Sequence, residues 1–145
     1  MEYSEFKTLL SDVSIENSIN LRVLEHFVET FERLGLEAKL KYFYPKGIYR
    51  DENMELFFFC ENQTIIVQFS DGEFSFLTIK NNRIKELELI VSSGFTIQRK
   101  LFLSVEGIGN PIKLDSSTDT ESSHSRDLAE SIDEIYQYLF NASTL

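Results

Sequence analysis

Acid–base, nucleophilic or metal chemistry in this sequence would have to start from His26, His124, Cys60 and two close carboxylate pairs, Glu86/Glu88 and Asp119/Glu121. A structural zinc ion needs Cys or His ligands in clustered pairs. His26 follows Glu25 in an apolar-patterned stretch, His124 lies in a polar run, and neither has such a partner at that spacing. Cys60 ends the run Phe57-Phe58-Phe59-Cys60, where burial would raise the thiol pKa and make it inert. Glu86 and Glu88 stand about 7 Å apart on one strand face. Two carboxylates divide acid and base roles only where their surroundings separate their pKa values, and a solvated strand face does not. The stretch Gly107-Ile108-Gly109-Asn110-Pro111 lacks the pattern and the lysine of a phosphate loop. No residue is therefore given a catalytic, cofactor-binding or metal-binding role, no cofactor is expected, and the chain is read as a non-enzyme.

Charge narrows the partners. The 145 residues carry 24 acidic and 14 basic side chains, a net charge of −10, which repels nucleic-acid phosphate overall. The densest basic stretches, Gln98-Arg99-Lys100 and Lys39-Leu40-Lys41, read as solvated strand faces. Neither nucleic acid nor membrane is expected as a partner. Hydrophobic residues make up 42%, with 13 Phe and no Trp, enough for a core in one domain that buries roughly 70% of its unfolded surface. No apolar run reaches the roughly 20 residues of a membrane-spanning helix, and the first ten residues lack the basic and apolar regions of a signal peptide. With one cysteine, an intramolecular disulfide is excluded and a reducing, cytoplasmic setting is expected.

The elements follow from periodicity. Phe6, Leu9, Leu10 and Val13 form one helical stripe with Ser4 placed to cap it. A second stripe runs Leu21, Leu24, Phe27, Val28, Phe31, Leu34, and Gly35 follows where a left-handed residue ends a helix. From Leu36 to Asp115 the period becomes two. Seven strands are expected: around Leu40–Tyr44, then Glu55–Cys60, Thr64–Phe69, Glu73–Lys80, Ile84–Val91, Ile97–Glu106 and Pro111–Leu114. The breaks are short and include Glu61-Asn62, Asp71-Gly72 and Asn81-Asn82. Asp-Gly and Asn-Asn tolerate the positive φ of two-residue hairpins. Such connections cannot hold parallel crossovers, so the strands form an antiparallel meander.

One strand differs from the rest. Leu56, Phe58 and Cys60 make one face of it and Phe57 and Phe59 the other, so both faces need covering. One is expected to enter the core, the other to lie under the helix Leu21 to Leu34 through Leu24, Phe27, Phe31 and Leu34. After the strands, residues 115–125 contain no apolar side chain and read as a flexible loop. Beyond them Leu128, Ile132, Ile135, Tyr136 and Leu139 make a third helical stripe, with Ser125 as N-cap.

Seven short antiparallel strands followed by the loop and Ser125-to-Phe140 helix resemble a pleckstrin-homology-like domain. That likeness implies an α+β fold: a bent seven-strand meander forming a barrel, one open end plugged by the C-terminal helix, with two N-terminal helices added. The expected organisation is one domain, residues 1–145, made of a helical extension (4–34) and the sheet plus helix (36–141). In length and texture the chain also resembles small proteins of Gram-positive bacteria that have no assigned function. Lipid-binding members of the pleckstrin-homology class use a basic loop between the first two strands. Here Lys46 and Arg50 are offset by Asp51 and Glu52, so that site is not carried over. The expected function is a non-catalytic interaction module for a protein or peptide, with sheet edges or the acidic face as the surface, and self-association is left open. The alternatives are an acidic inhibitor or immunity-type protein for a basic partner, and a small hydrolase or ligand-pocket protein with its cavity between helices and sheet.

Overall fold

Residues 1–10, 21–49 and 54–143 are described by a computed structural model, so Val13 and the loop residues Arg50, Asp51 and Glu52 lie outside the described residues. Helix α1 spans Tyr3–Leu9 and α2 spans Leu21–Arg33. Glu2, not Ser4, stands at the α1 N-cap; Ser4 lies within the helix, its carbonyl accepting from the Thr8 hydroxyl at 3.0 Å. The end of α2 is as read. Gly35 adopts φ +69°, its N–H donates to Glu32 O and the Leu36 N–H to Phe31 O, which satisfies two carbonyls the helix would otherwise leave open.

Seven strands form, but they do not make one meander. Strands β1 (Leu40–Lys46), β2 (Glu55–Cys60), β3 (Gln63–Ser70) and β4 (Glu73–Lys80) make an antiparallel sheet in that order. Strands β5 (Ile84–Val91), β6 (Arg99–Val105) and β7 (Ile112–Asp115) make a second. The expected barrel does not close: β4 does not pair with β5, nor β7 with β1. The Asp71-Gly72 turn has positive φ at both residues, as a two-residue hairpin requires. Asn81-Asn82 behaves otherwise. It opens a 3-10 turn, Asn81–Arg83, because the Asn81 side chain is committed to the first sheet: its amide donates to Cys60 O at 3.2 Å and its carbonyl accepts from the Thr64 hydroxyl at 2.8 Å. The chain is anchored there and departs in a new direction.

Strand β2 is buried on both faces. Leu56, Phe58 and Cys60 lie under α1 and α2, while Phe57 and Phe59 face the second sheet and α3 (Ser125–Ser143). The Phe58 ring is 4.4 Å from Phe31, 5.1 Å from Phe43 and 5.3 Å from Tyr3. Leu24, Phe27 and Phe31 are buried, but Leu34 is 55% exposed: its N–H still donates to Thr30 O, yet it lies one residue past the helix end at Arg33, where the stripe is no longer covered.

Residues 115–125 are not a free loop. Asp115, Ser116, Asp119 and Thr120 are buried. The Tyr44 hydroxyl and the Asp115 N–H both donate to Asp119 Oδ2, at 2.8 and 2.7 Å. Ser117 donates through its N–H and hydroxyl to Asp115 Oδ1, and the Thr120 hydroxyl donates to Ile48 O at 3.1 Å. Asp, Ser and Thr at these spacings bond their own backbone and so order a segment without apolar residues. Ser125 is likewise not a cap. A 3-10 turn, Ser122–His124, precedes α3, and the Ser125 hydroxyl donates back to Ser122 O.

This packing has an alkaline signature. Burial first, then the charge and hydrogen bond of Asp119, push the Tyr44 phenol well above its ordinary value. Burial first, then Glu37 and Glu32, push Tyr3 up as well. A phenol with a higher folded pKa keeps a proton the unfolded chain releases. Its stabilising contribution is therefore complete below about pH 10 and lost as pH rises above it, at roughly 1.4 kcal/mol per pH unit for each group. Alkaline titration should show the Tyr3 and Tyr44 phenolates appearing together with unfolding, and Tyr44→Phe should flatten the loss of stability above pH 10. Ionisation of all six tyrosines before unfolding would contradict this burial.

Candidate functional site

The residues with chemical potential are not brought together. His26 is exposed on α2, Glu86 and Glu88 are exposed on the outer face of β5, and Cys60 is buried, with its thiol pushed up first by burial and opposed by Lys39. Arg99 of the basic stretch is held by Asp133 at 2.9 Å. Among the described residues, no group of three or more His, Cys, Asp or Glu could hold a metal ion.

Asp115 and Asp119 meet one criterion for acid–base work, since their pKa values diverge. Burial pushes Asp119 up; Asp115 is held down by Ser117 and Lys113 against the opposite effect of its own burial. Yet neither carboxylate lines any of the three described cavities. They hold the β7–α3 connection onto β1, where the Gly47 N–H donates to Asp119 O.

The open seam between the sheets is the larger feature. The turn at Asn81–Arg83 aims β5 away from β4, and the start of β5 is clamped to the β6–β7 turn: the Glu106 N–H donates to Arg83 O at 2.8 Å, and the Arg83 guanidinium donates to Glu106 O. Gly107 makes room for that guanidinium. It has φ +87°, and a Cβ there would lie 2.9 Å from Arg83 Nη2. On its other side β5 has no strand partner among the described residues, so a row of backbone N–H and C=O groups faces the seam.

Along that seam runs a groove of about 900 Å³. One wall is Ile84, Lys85 and Leu87 of β5; the other is Tyr136, Leu139 and Phe140 of α3; Lys80, Asn81 and Asn82 close one end. Helix α3 is fixed there by the Tyr138 hydroxyl, which donates to Cys60 O at 2.8 Å, and by buried Leu128, Ile132, Ile135 and Leu139. Phe140 is 51% exposed, with its ring 6.1 Å from Tyr136. The β5 ladder shifts register between Ile84 and Glu86 and is regular from Glu86 to Val91. This groove was not foreseen. The clue was Phe140, an apolar residue just beyond Leu139 and off the buried stripe of α3.

No protein-family model and no curated protein sequence matches the chain. Its fold is similar to that of a DUF1696 family protein with a pleckstrin-homology domain from Shewanella loihica PV-4, with TM-score 0.50 and 15% identity over 80% of this chain and 92% of that one. It is also similar to a pleckstrin homology domain from Shewanella amazonensis SB2B, with TM-score 0.51 and 13% identity over 81% and 97% of the two chains. The fold is pleckstrin-homology-like. At this identity the likeness extends to the fold and no further. Both structures come from Gram-negative bacteria, so the likeness to Gram-positive proteins has no support. No described helix is long and apolar enough to cross a membrane.

Proposed function

We propose that the chain is a non-catalytic interaction module that takes an extended segment of a protein partner along the outer edge of β5. The observation that carries this reading is the juxtaposition of an eight-residue strand edge without a strand partner among the described residues and a groove beside its first half, where the apolar side chains Ile84, Leu87, Tyr136, Leu139 and Phe140 alternate with polar ones such as Glu61, Gln63 and Lys85. An added strand would gain backbone hydrogen bonds from Glu86 to Val91. Its alternate side chains would point into the groove towards Leu87, Tyr136 and Phe140. The pleckstrin-homology-like fold is compatible with such a role.

Selection of peptides from a displayed random library against the full chain tests the reading. The peptides obtained should lose at least about tenfold in affinity on Phe140→Asp, because an exposed aromatic anchor would be replaced by a charge. The fold should tolerate that change, since the side chain is half exposed. Failure to select any peptide, or equal affinity for both proteins, would count against the groove.

A further inference from the structure

A second cavity lies at the N-terminal end of α3, whereas the seam groove lies at its C-terminal end. It is a cleft of about 370 Å³ between α1, the arm that follows β1, and the first turn of α3. Its walls are apolar, supplied by Met1, Leu9, Pro45, Ile48 and Leu128. One side is aromatic: the rings of Tyr49 and His124 stack with centroids 4.4 Å apart and planes at 20°. Two carboxylates line it, Glu5 from α1 and Asp127 from α3, against the α-ammonium of Met1, and His124 is the one basic side chain among the lining residues. Burial first, then the charges of Glu121 and Glu5, raise the Tyr49 phenol, so negative potential reaches the aromatic wall from two elements.

Tyr49 is also held in an unusual backbone conformation, φ +64°, which a bulky side chain adopts at a cost. The chain tolerates it where Gly47, at φ +88°, and the Thr120 hydroxyl on Ile48 O fix the arm. The effect is to hold the Tyr49 ring against His124 at the cleft. Apolar walls, an aromatic ring and two carboxylates select a positive charge on an apolar stem. The carboxylates compensate a cation's charge, the walls cover the methylenes, and the stacked Tyr49–His124 pair forms a flat side to the cleft.

We propose that this cleft binds an ammonium or guanidinium group carried on an aliphatic chain, whether a basic side chain of a protein or a free amine. Nothing in this proposal depends on the β5 groove, and the two can fail separately. It inverts the charge preference of a basic first loop: here an anion would meet Glu5 and Asp127.

Amide NMR of the full chain, titrated with n-hexylammonium, hexan-1-ol and Nα-acetyl-lysine N-methylamide in turn, tests the assignment. Hexylammonium should shift the amides of Thr8, Tyr49 and Leu128, and hexan-1-ol should bind about tenfold more weakly or worse. The double variant Glu5→Gln, Asp127→Asn should lower hexylammonium affinity by about tenfold. Both residues are exposed, so the melting temperature should hold; the amine–alcohol comparison on the unaltered chain decides the matter if it does not. Tighter binding of the lysine derivative than of hexylammonium assigns the cleft to a protein side chain, and the reverse assigns it to a free amine. Equal binding of amine and alcohol, or shifts that avoid the cleft, would overturn the proposal.

Discussion

Ending the chain at Ser125 is expected to leave a protein that does not fold cooperatively. Helix α3 contributes Leu128, Ile132, Ile135 and Leu139 to the core beneath the second sheet, each at most 3% exposed. Fully buried side chains of this size stabilise by about 1.5–3 kcal/mol each, so four contribute roughly 6–12 kcal/mol together, comparable to the whole stability of a typical domain. The loss does not end there. Without α3, Phe57, Phe59 and Leu103 lose their cover, Tyr138 no longer bonds Cys60 O, and Arg99 loses Asp133. Circular dichroism during thermal unfolding would show a broad or absent transition. A shortened chain that melts like the full one would mean that α3 is not integral to the core.

The second large effect is Phe31→Ala. Phe31 is fully buried and its ring lies 4.4 Å from Phe58, 5.2 Å from Tyr3 and 5.5 Å from Phe27. Removing an aromatic ring from a packed interior costs about 3–5 kcal/mol, because the transfer energy is lost and the cavity closes only in part. The melting temperature should fall by roughly 10–20 °C. An unchanged melting temperature, with loss of self-association instead, would make α2 an interface and contradict its packing on β2.

These two results bear on how much of the molecule the chain of residues discloses. The bounds of β5 were legible because one face is wet: Leu87 and Leu89 alternate with Glu86 and Glu88, although Val91, on the same apolar face, is 57% exposed. Strand β6, expected over Ile97–Glu106, spans only Arg99–Val105. The double apolar face of β2 was legible too, and so was its helical cover. The break between the sheets was not. Asn81-Asn82 has the composition of a hairpin turn, and only the folded chain reveals that the Asn81 side chain bonds Cys60 and Thr64 instead. Residues 115–125 misled for a related reason. Polarity was equated with exposure, although the run contains neither Gly nor Pro and its Asp, Ser and Thr residues can satisfy one another when buried. The groove was hidden because its walls, Ile84–Leu87 and Tyr136–Phe140, are some fifty residues apart, and Phe140, off the buried stripe, does not by itself say which element it faces.

Function as an interaction module turns on whether the β5 edge accepts a strand. Amide hydrogen exchange of the full chain with and without a selected peptide addresses that edge directly. Backbone groups of β5 that face the seam are open in the free protein and would be paired in the complex. The expected result is slower exchange at alternate amides between Glu86 and Val91, with little change in β2 and β3, which are already paired on both sides. Exchange in β5 that is unaltered by a bound peptide would contradict strand addition.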